Sequence, residues 1–212
     1  KMWFGIIFVY FAISLWRYSK QHKTSFIIGN LQVAFLTALS IINLALYDLI
    51  PVGITIGNEP KIIFYIILFY AGFAFITTLI REIIKDLEDI EGDKNINAQT
   101  LAITCGIKKT KWIALAFTIL TFFGIAYFQY FQYSFISSKF EYDGQAVSLY
   151  PWGVNHNAIL YTIFIQCLFI FLCLRIYNAT HKKDFYLISQ LCKVIMIFGI
   201  LSMPLFTYLY LT

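Results

Sequence analysis

Apolar residues run along this chain in long blocks, and polar residues gather in the intervals between them. The blocks fall at roughly 2–16, 26–50, 62–80, 112–133, 157–177 and 194–212. Most are near the ~20 residues that a helix needs to cross ~30 Å of hydrocarbon, so the pattern predicts six spans. The short alternating segments of a membrane barrel are absent, and an open sheet cannot satisfy its backbone in lipid, so the spans are predicted to be helices. The connection 51–61, PVGITIGNEPK, carries Pro and Gly turn signals. Residues 134–156 form a longer connection that ends LYPWGVNH and has the Tyr, Trp and Phe content of an interfacial element. The expected fold class is all-α, a polytopic transmembrane helix bundle, in one domain over 1–212.

Composition agrees. The chain is 60% hydrophobic and only 13% charged, with mean hydropathy +0.74, whereas soluble domains carry charge on about a quarter of their residues. If connections alternate sides, 17–23, 81–111 and 175–193 share one face of the membrane and hold thirteen of the sixteen Lys and Arg, leaving Lys1, Lys61 and Lys139 opposite. The basic face is expected to be cytoplasmic and the C-terminus to lie on the other side. The net charge of +5 then describes topology and attraction to membrane lipid headgroups, and no nucleic acid partner is expected. Cys105, Cys167, Cys173 and Cys192 lack CxxC pairing and read as small apolar packers. The chain opens on Lys1, and 2–16 runs into a basic loop, not a small-residue cleavage site, so a signal peptide is not expected and the chain is expected to begin within a longer protein.

One stretch breaks the pattern. REIIKDLEDIEGDK, residues 81–94, holds six acids. At ~100° per residue, Glu82, Asp86, Asp89 and Asp93 fall within an arc of about 60° on a helix, with Glu88 and Glu91 roughly opposite. Like charges stacked at these spacings repel. Arg81 and Lys85 sit to the side of the column, so a bound divalent cation is one compensation. An all-carboxylate set without His or Cys suits a hard ion, and one that keeps waters while bridging phosphates is Mg²⁺. The EF-hand spacing of a Ca²⁺ loop does not fit. The plain alternative is a solvated loop in which the acids balance the six Lys and Arg of 81–111. Glu141, Asp143 and His156 are scattered on the weakly charged side and read as a solvated loop.

DLEDIEGD resembles the second aspartate-rich motif, DxxDxxxD, of the UbiA superfamily of membrane prenyltransferases. The longer string REIIKDLEDIEGDKNINAQTLAITCG is similar to the branch that includes digeranylgeranylglyceryl phosphate synthase. YSKQHKTSFIIGNLQVAFLTA, residues 18–38, resembles the cytoplasmic loop between the fourth and fifth family helices. The resemblance implies an isoprenyl diphosphate bound through Mg²⁺ as cofactor, with Asp86, Asp89 and Asp93 as metal ligands. Tyr18 and Lys23 are implied near the diphosphate or acceptor by a YxxxK pattern, although His22 occupies the usual lysine position. Asn30 matches a family position and reads equally as a helix-start cap. Arg81 and Lys85 are candidates to assist the leaving group, and Glu82 to orient the metal shell or its waters. The implied acceptor is the hydroxyl of geranylgeranylglyceryl phosphate, which makes an ether lipid. An aromatic or quinone-precursor acceptor is the alternative. Phe69, Tyr70, Phe73 and Phe75 could face a carbocation or pack the bundle.

The sequence also departs from the family. A complete member has nine spans and a first motif of NDxxDxxxD type, and no such string occurs here; Asp48 stands alone on the opposite side. The six spans resemble helices four to nine, with the N-terminal helices of the same enzyme as the implied partner. The 212 residues alone are therefore expected to be inactive. An ion-coupled carrier module is a rival that requires acids in mid-span, and a noncatalytic membrane scaffold is another.

Overall fold

The computed structural model describes residues 2–18, 25–56, 60–136, 140–142, 145–147 and 156–211. In chain order these form α1 (Met2–Arg17), α2 (Ile28–Ile56), α3 (Pro60–Glu88), α4 (Ile90–Asn95), α5 (Leu101–Cys105), α6 (Ile107–Ile136), β1 (Phe140–Tyr142), β2 (Gln145–Val147), α7 (His156–Asn178) and α8 (Lys182–Leu211). Among the described residues, α2, α3, α6, α7 and α8 contain stretches long and apolar enough to cross a membrane. The protein is an all-α, multi-pass integral membrane protein, as predicted. The remaining apolar block forms the 16-residue α1. The connection 134–156 contains an unpredicted antiparallel strand pair, with Phe140 opposite Val147 and Tyr142 opposite Gln145.

Several helices overrun their apolar blocks. The second continues to Ile56, through the predicted turn at 51–56. The third continues to Glu88 instead of stopping near 80. The sixth begins at Ile107 and the eighth at Lys182. Extending a helix adds a hydrogen bond without a new nucleation cost, and the Arg, Lys, Glu and Gln that flank the apolar blocks of the third, sixth and eighth helices are good helix formers. Hydropathy marks the length that lipid covers, not the length of the helix.

The chain divides into two compact units, Lys1–Ala114 and Leu115–Thr212. In the first, α2 and α3 pack along each other, antiparallel, because the start of one bonds to the end of the other. Ala34, Ala38 and Ala45 of α2 and Ala71 of α3 are buried. Small side chains let backbones approach closely, which matters where lipid removes the hydrophobic drive between helices. Several hydroxyls in the spans donate to carbonyls of their own helix, as Thr37 does to Val33 at 2.9 Å and Thr77 to Phe73 at 2.8 Å, so no polar group faces hydrocarbon unpaired at these positions. The first helix is tied on by Gln32, whose Nε2 donates to the carbonyl and hydroxyl oxygens of Ser14 at 2.7 and 2.8 Å.

Past α3 the chain folds tightly. At the end of α4, Asn97 takes a left-handed conformation with φ 53°, its N–H meets the carbonyl of Lys94 at 3.2 Å, and the N–H of Ala98 meets that of Asp93 at 3.0 Å. This is a Schellman stop, with Asn in the place more often held by Gly. Gly106, at φ 80°, separates α5 from α6, and the fully buried Thr110 bridges them: its hydroxyl lies 3.2 Å from the Leu101 carbonyl and 3.0 Å from that of Gly106.

In the second unit α7 and α8 pair through Ile165, Phe169, Leu172 and Ile176 on one helix and Phe185, Ile188, Cys192 and Ile195 on the other, all buried. Their spacing of three and four residues is that of one helical stripe. Asp184 caps α8 by accepting from the backbone N–H groups of Thr180 and His181 at 3.0 and 2.9 Å. This is the carboxylate arm of a capping box. All four cysteines are free thiols, Cys192 buried, Cys105 and Cys173 half-buried and Cys167 exposed.

Candidate functional site

The acidic stretch is assembled where the start of α2 meets the end of α3. Asn30, 8% exposed, reaches across the interface and donates from Nδ2 to Oδ2 of Asp86 at 2.7 Å. Its amide thus serves a carboxylate on another helix, 56 residues away in sequence, and not the first turn of its own. Hydrogen bonds to an ionised acceptor are among the stronger ones, and a neutral amide supports the charge without cancelling it.

One turn earlier on α3, Glu82 is also 8% exposed. Its Oε1 accepts from Nη1 of Arg81 at 2.6 Å in an ion pair. Consecutive helix residues diverge by ~100°, so the guanidinium has to curl around the helix to make this bond. Lys85 is exposed.

The column continues through a bend. Asp89, with φ −96° and ψ 8°, separates α3 from α4, yet its N–H still meets the Lys85 carbonyl at 2.9 Å, and the Asp93 N–H meets the Asp89 carbonyl at 2.9 Å. The helical phase therefore survives. Asp86 is central: the charges of Asp93, Glu82 and Asp89 all act on it. The far end of the column is fixed by the Schellman stop, which uses the carbonyl of Asp93 itself.

Tyr18 follows the last residue of α1 and is half-buried. Burial first, then the charges of Glu82 and Asp86, pushes its phenol above the ordinary tyrosine pKa. It stays protonated, an O–H donor facing the acids. The structure thus brings Tyr18, Asn30, Arg81, Glu82, Asp86, Asp89 and Asp93 to one end of the first unit. Lys23 and His22 lie outside the described residues.

The donor set suits a hard divalent cation in its chemistry: carboxylates with no sulfur or imidazole among them. Among the described residues, however, no three Asp, Glu, His or Cys side chains are drawn together closely enough to enclose an ion. That openness matches Mg²⁺, which keeps several waters and is usually held by one or two carboxylates plus phosphate oxygens, without an all-protein cage.

The aromatic candidates lie elsewhere. By the helical rise, Phe75 is about 16 Å and Phe69 about 25 Å along α3 from Asp86, beyond the length of a diphosphate. Tyr70 is buried and meets Phe69 edge-on, with centroids 6.2 Å apart. These rings are placed for packing or for an apolar tail, not for a carbon next to the acids. The feature that sequence reasoning missed is the pairing of Asn30 with Asp86. Its only trace in the sequence is a polar residue on the otherwise apolar face of α2.

Among known proteins, the chain is 40% identical over 118 residues to the digeranylgeranylglyceryl phosphate synthase of Methanosphaera stadtmanae, covering 55% of this chain and 38% of the relative. It is 35% identical over 116 residues to the protein of that name from Methanothermobacter thermautotrophicus, covering 55% and 37%. With the one from Thermococcus sibiricus it shares 39% over 107 residues, covering 50% and 34%. The chain thus spans little more than a third of the length of the curated relatives it matches. No family model matches it, and no solved structure does. The resemblance read from the aspartate-rich stretch is borne out by these relatives.

Proposed function

We propose, from the chain's kinship with proteins named digeranylgeranylglyceryl phosphate synthase, that it acts as a membrane prenyltransferase of ether-lipid synthesis. In this reading it moves an isoprenyl group from its diphosphate to the hydroxyl of geranylgeranylglyceryl phosphate. The observation that carries the reading is the carboxylate column centred on Asp86 at the end of a membrane span.

Asp86, Asp89 and Asp93 would hold Mg²⁺, which supplies neutralisation of the charge that grows on the departing diphosphate. The chain's own residues do the rest. The Tyr18 hydroxyl donates to a phosphate oxygen, and Arg81 and Lys85 add positive charge beside the leaving group. Lys23 joins them by resemblance. Asn30 holds Asp86. The apolar span walls keep the isoprenoid tail out of water. The bond between the allylic carbon and the diphosphate oxygen breaks with its electron pair leaving on the diphosphate. The acceptor oxygen bonds to that carbon and releases its proton.

A carrier would need acids in mid-span. Among the described span residues of the first unit, the acids are Glu82, Asp86 and Glu88, all at the end of α3, which favours a site at the membrane face. The motif is expected on the cytoplasmic side, following the basic connections.

The test is product analysis by mass spectrometry of the full-length protein given Mg²⁺, geranylgeranyl diphosphate and competing lipid and aromatic acceptors. An ether lipid is expected, with a roughly 100-fold or greater loss of rate in Asp86→Asn and Asp89→Asn. Transfer at the original rate in both variants would refute the site. A prenylated aromatic product would replace the acceptor.

A further inference from the structure

Two of the four acids in the column are held by partners of different kinds. Arg81 meets Glu82 with a full positive charge, whereas Asn30 meets Asp86 with a neutral amide. The first contact cancels a charge and the second preserves one. The amide binds Oδ2 alone, and Oδ1 of Asp86 has no hydrogen-bond partner among the described residues. Asn30 is itself held in the packed interface of α2 and α3, so it fixes the carboxylate from a buried position.

We propose that Asn30 is a positioning residue: it orients the carboxylate of Asp86 so that Oδ1 is presented to a divalent cation, while Arg81 withdraws Glu82 from the cation and leaves it as part of the scaffold. The proposal rests on the prenyltransferase reading above and deepens it. Partners that orient metal-binding carboxylates typically change affinity by roughly 10- to 100-fold when removed. Asn30 is thereby assigned to the carboxylate and not to the substrate. The column is divided accordingly, with Asp86 as its preset member and Asp89 and Asp93 completing the grip from beyond the bend.

The experiment uses the full-length protein in lipid nanodiscs and titrates Mn²⁺, a hard cation whose free form is counted by electron paramagnetic resonance. Asp86→Asn is the reference, expected to abolish tight binding. Asn30→Leu, close in size and without the amide, is expected to weaken Mn²⁺ by roughly 10- to 100-fold while still unfolding cooperatively, at a somewhat lower midpoint. Its prenyl transfer should be low at limiting Mg²⁺ and recover when Mg²⁺ is raised, which a lost substrate contact or a damaged fold would not allow. Should Asn30→Leu fail to fold, Asn30→Ser, whose hydroxyl is too short to span the same gap, is measured in the same way. Unchanged Mn²⁺ affinity in the Asn30 variants, with Asp86→Asn still defective, overturns the positioning role and leaves the enzyme reading standing. Loss of transfer that added Mg²⁺ does not restore overturns it as well. Unchanged binding and transfer in Asp86→Asn overturns both.

Discussion

Replacing Arg81 with Met keeps most of the stem and removes the guanidinium from Glu82. Two unit charges 4 Å apart interact by about 4 kcal/mol at an effective dielectric of 20, and here the charged atoms are 2.6 Å apart with side chains 23% and 11% exposed. The realised loss is smaller, because both side chains keep some contact with solvent. Breaking a buried pair by deleting one member costs about 3–5 kcal/mol, and with side chains 23% and 11% exposed a destabilisation of about 2–4 kcal/mol at pH 7 is expected. The assay is thermal unfolding of the full-length protein, together with the transfer rate. Arg81→Met combined with Glu82→Gln removes both charges and should recover most of the lost midpoint. Transfer should stay low in the double variant if the guanidinium also assists the leaving group. A single variant as stable as the parent at pH 7 would refute the electrostatic argument, and a double variant with full transfer would reduce Arg81 to the counter-ion of Glu82.

Two further outcomes are expected. Thr110→Val keeps the side-chain shape but strands the Leu101 carbonyl beside the aspartate-rich segment. A loss of about 1–3 kcal/mol follows, and faster hydrogen exchange in Leu101–Cys105 would locate it. Tyr18 is the protonated group with the raised pKa, so its stabilising effect is complete below the ordinary tyrosine value of about 10 and is lost as pH rises through the higher folded value. Tyr18→Phe should therefore lose less stability than the parent above pH 10, and its ultraviolet titration should lack one late-ionising tyrosine.

Much of the fold was legible because lipid imposes a simple length rule. Every apolar block of span length became a helix, and the charges of Asp93, Glu82 and Asp89 act on Asp86. Helix ends were less legible, since five of the eight residues from Arg81 to Glu88 are charged but extend an existing helix at little cost. The pairing of β1 with β2 was not predicted at all: its strands are three residues each, too short to impose a period. Least legible was the partner of Asp86. Local periodicity can say which residues of one helix share a face, but only the packing of α2 on α3 brings Asn30 to that face.

The placement of these acids runs against the field of their own helix. A helix C-terminus carries partial negative charge, so carboxylates there are unfavourable and cations favourable, yet α3 ends with Glu82, Asp86 and Glu88 and has only Lys85 as a base in its last turn. The same chain follows the rule elsewhere: Asp184 sits in the first turn of α8, where it bonds two backbone N–H groups. A sequence that can place an acid correctly on one helix and inverts the arrangement on another has a cost to offset there. At the end of α3 the cost is met by the close α2–α3 packing, by Arg81 on Glu82 and by the Asn30 amide on Asp86. None of these neutralises Asp86, Asp89 or Asp93. Breaks in local rules concentrate where function requires them, and the charge left uncancelled on these three aspartates is of the sign and hardness that a hydrated divalent cation would relieve.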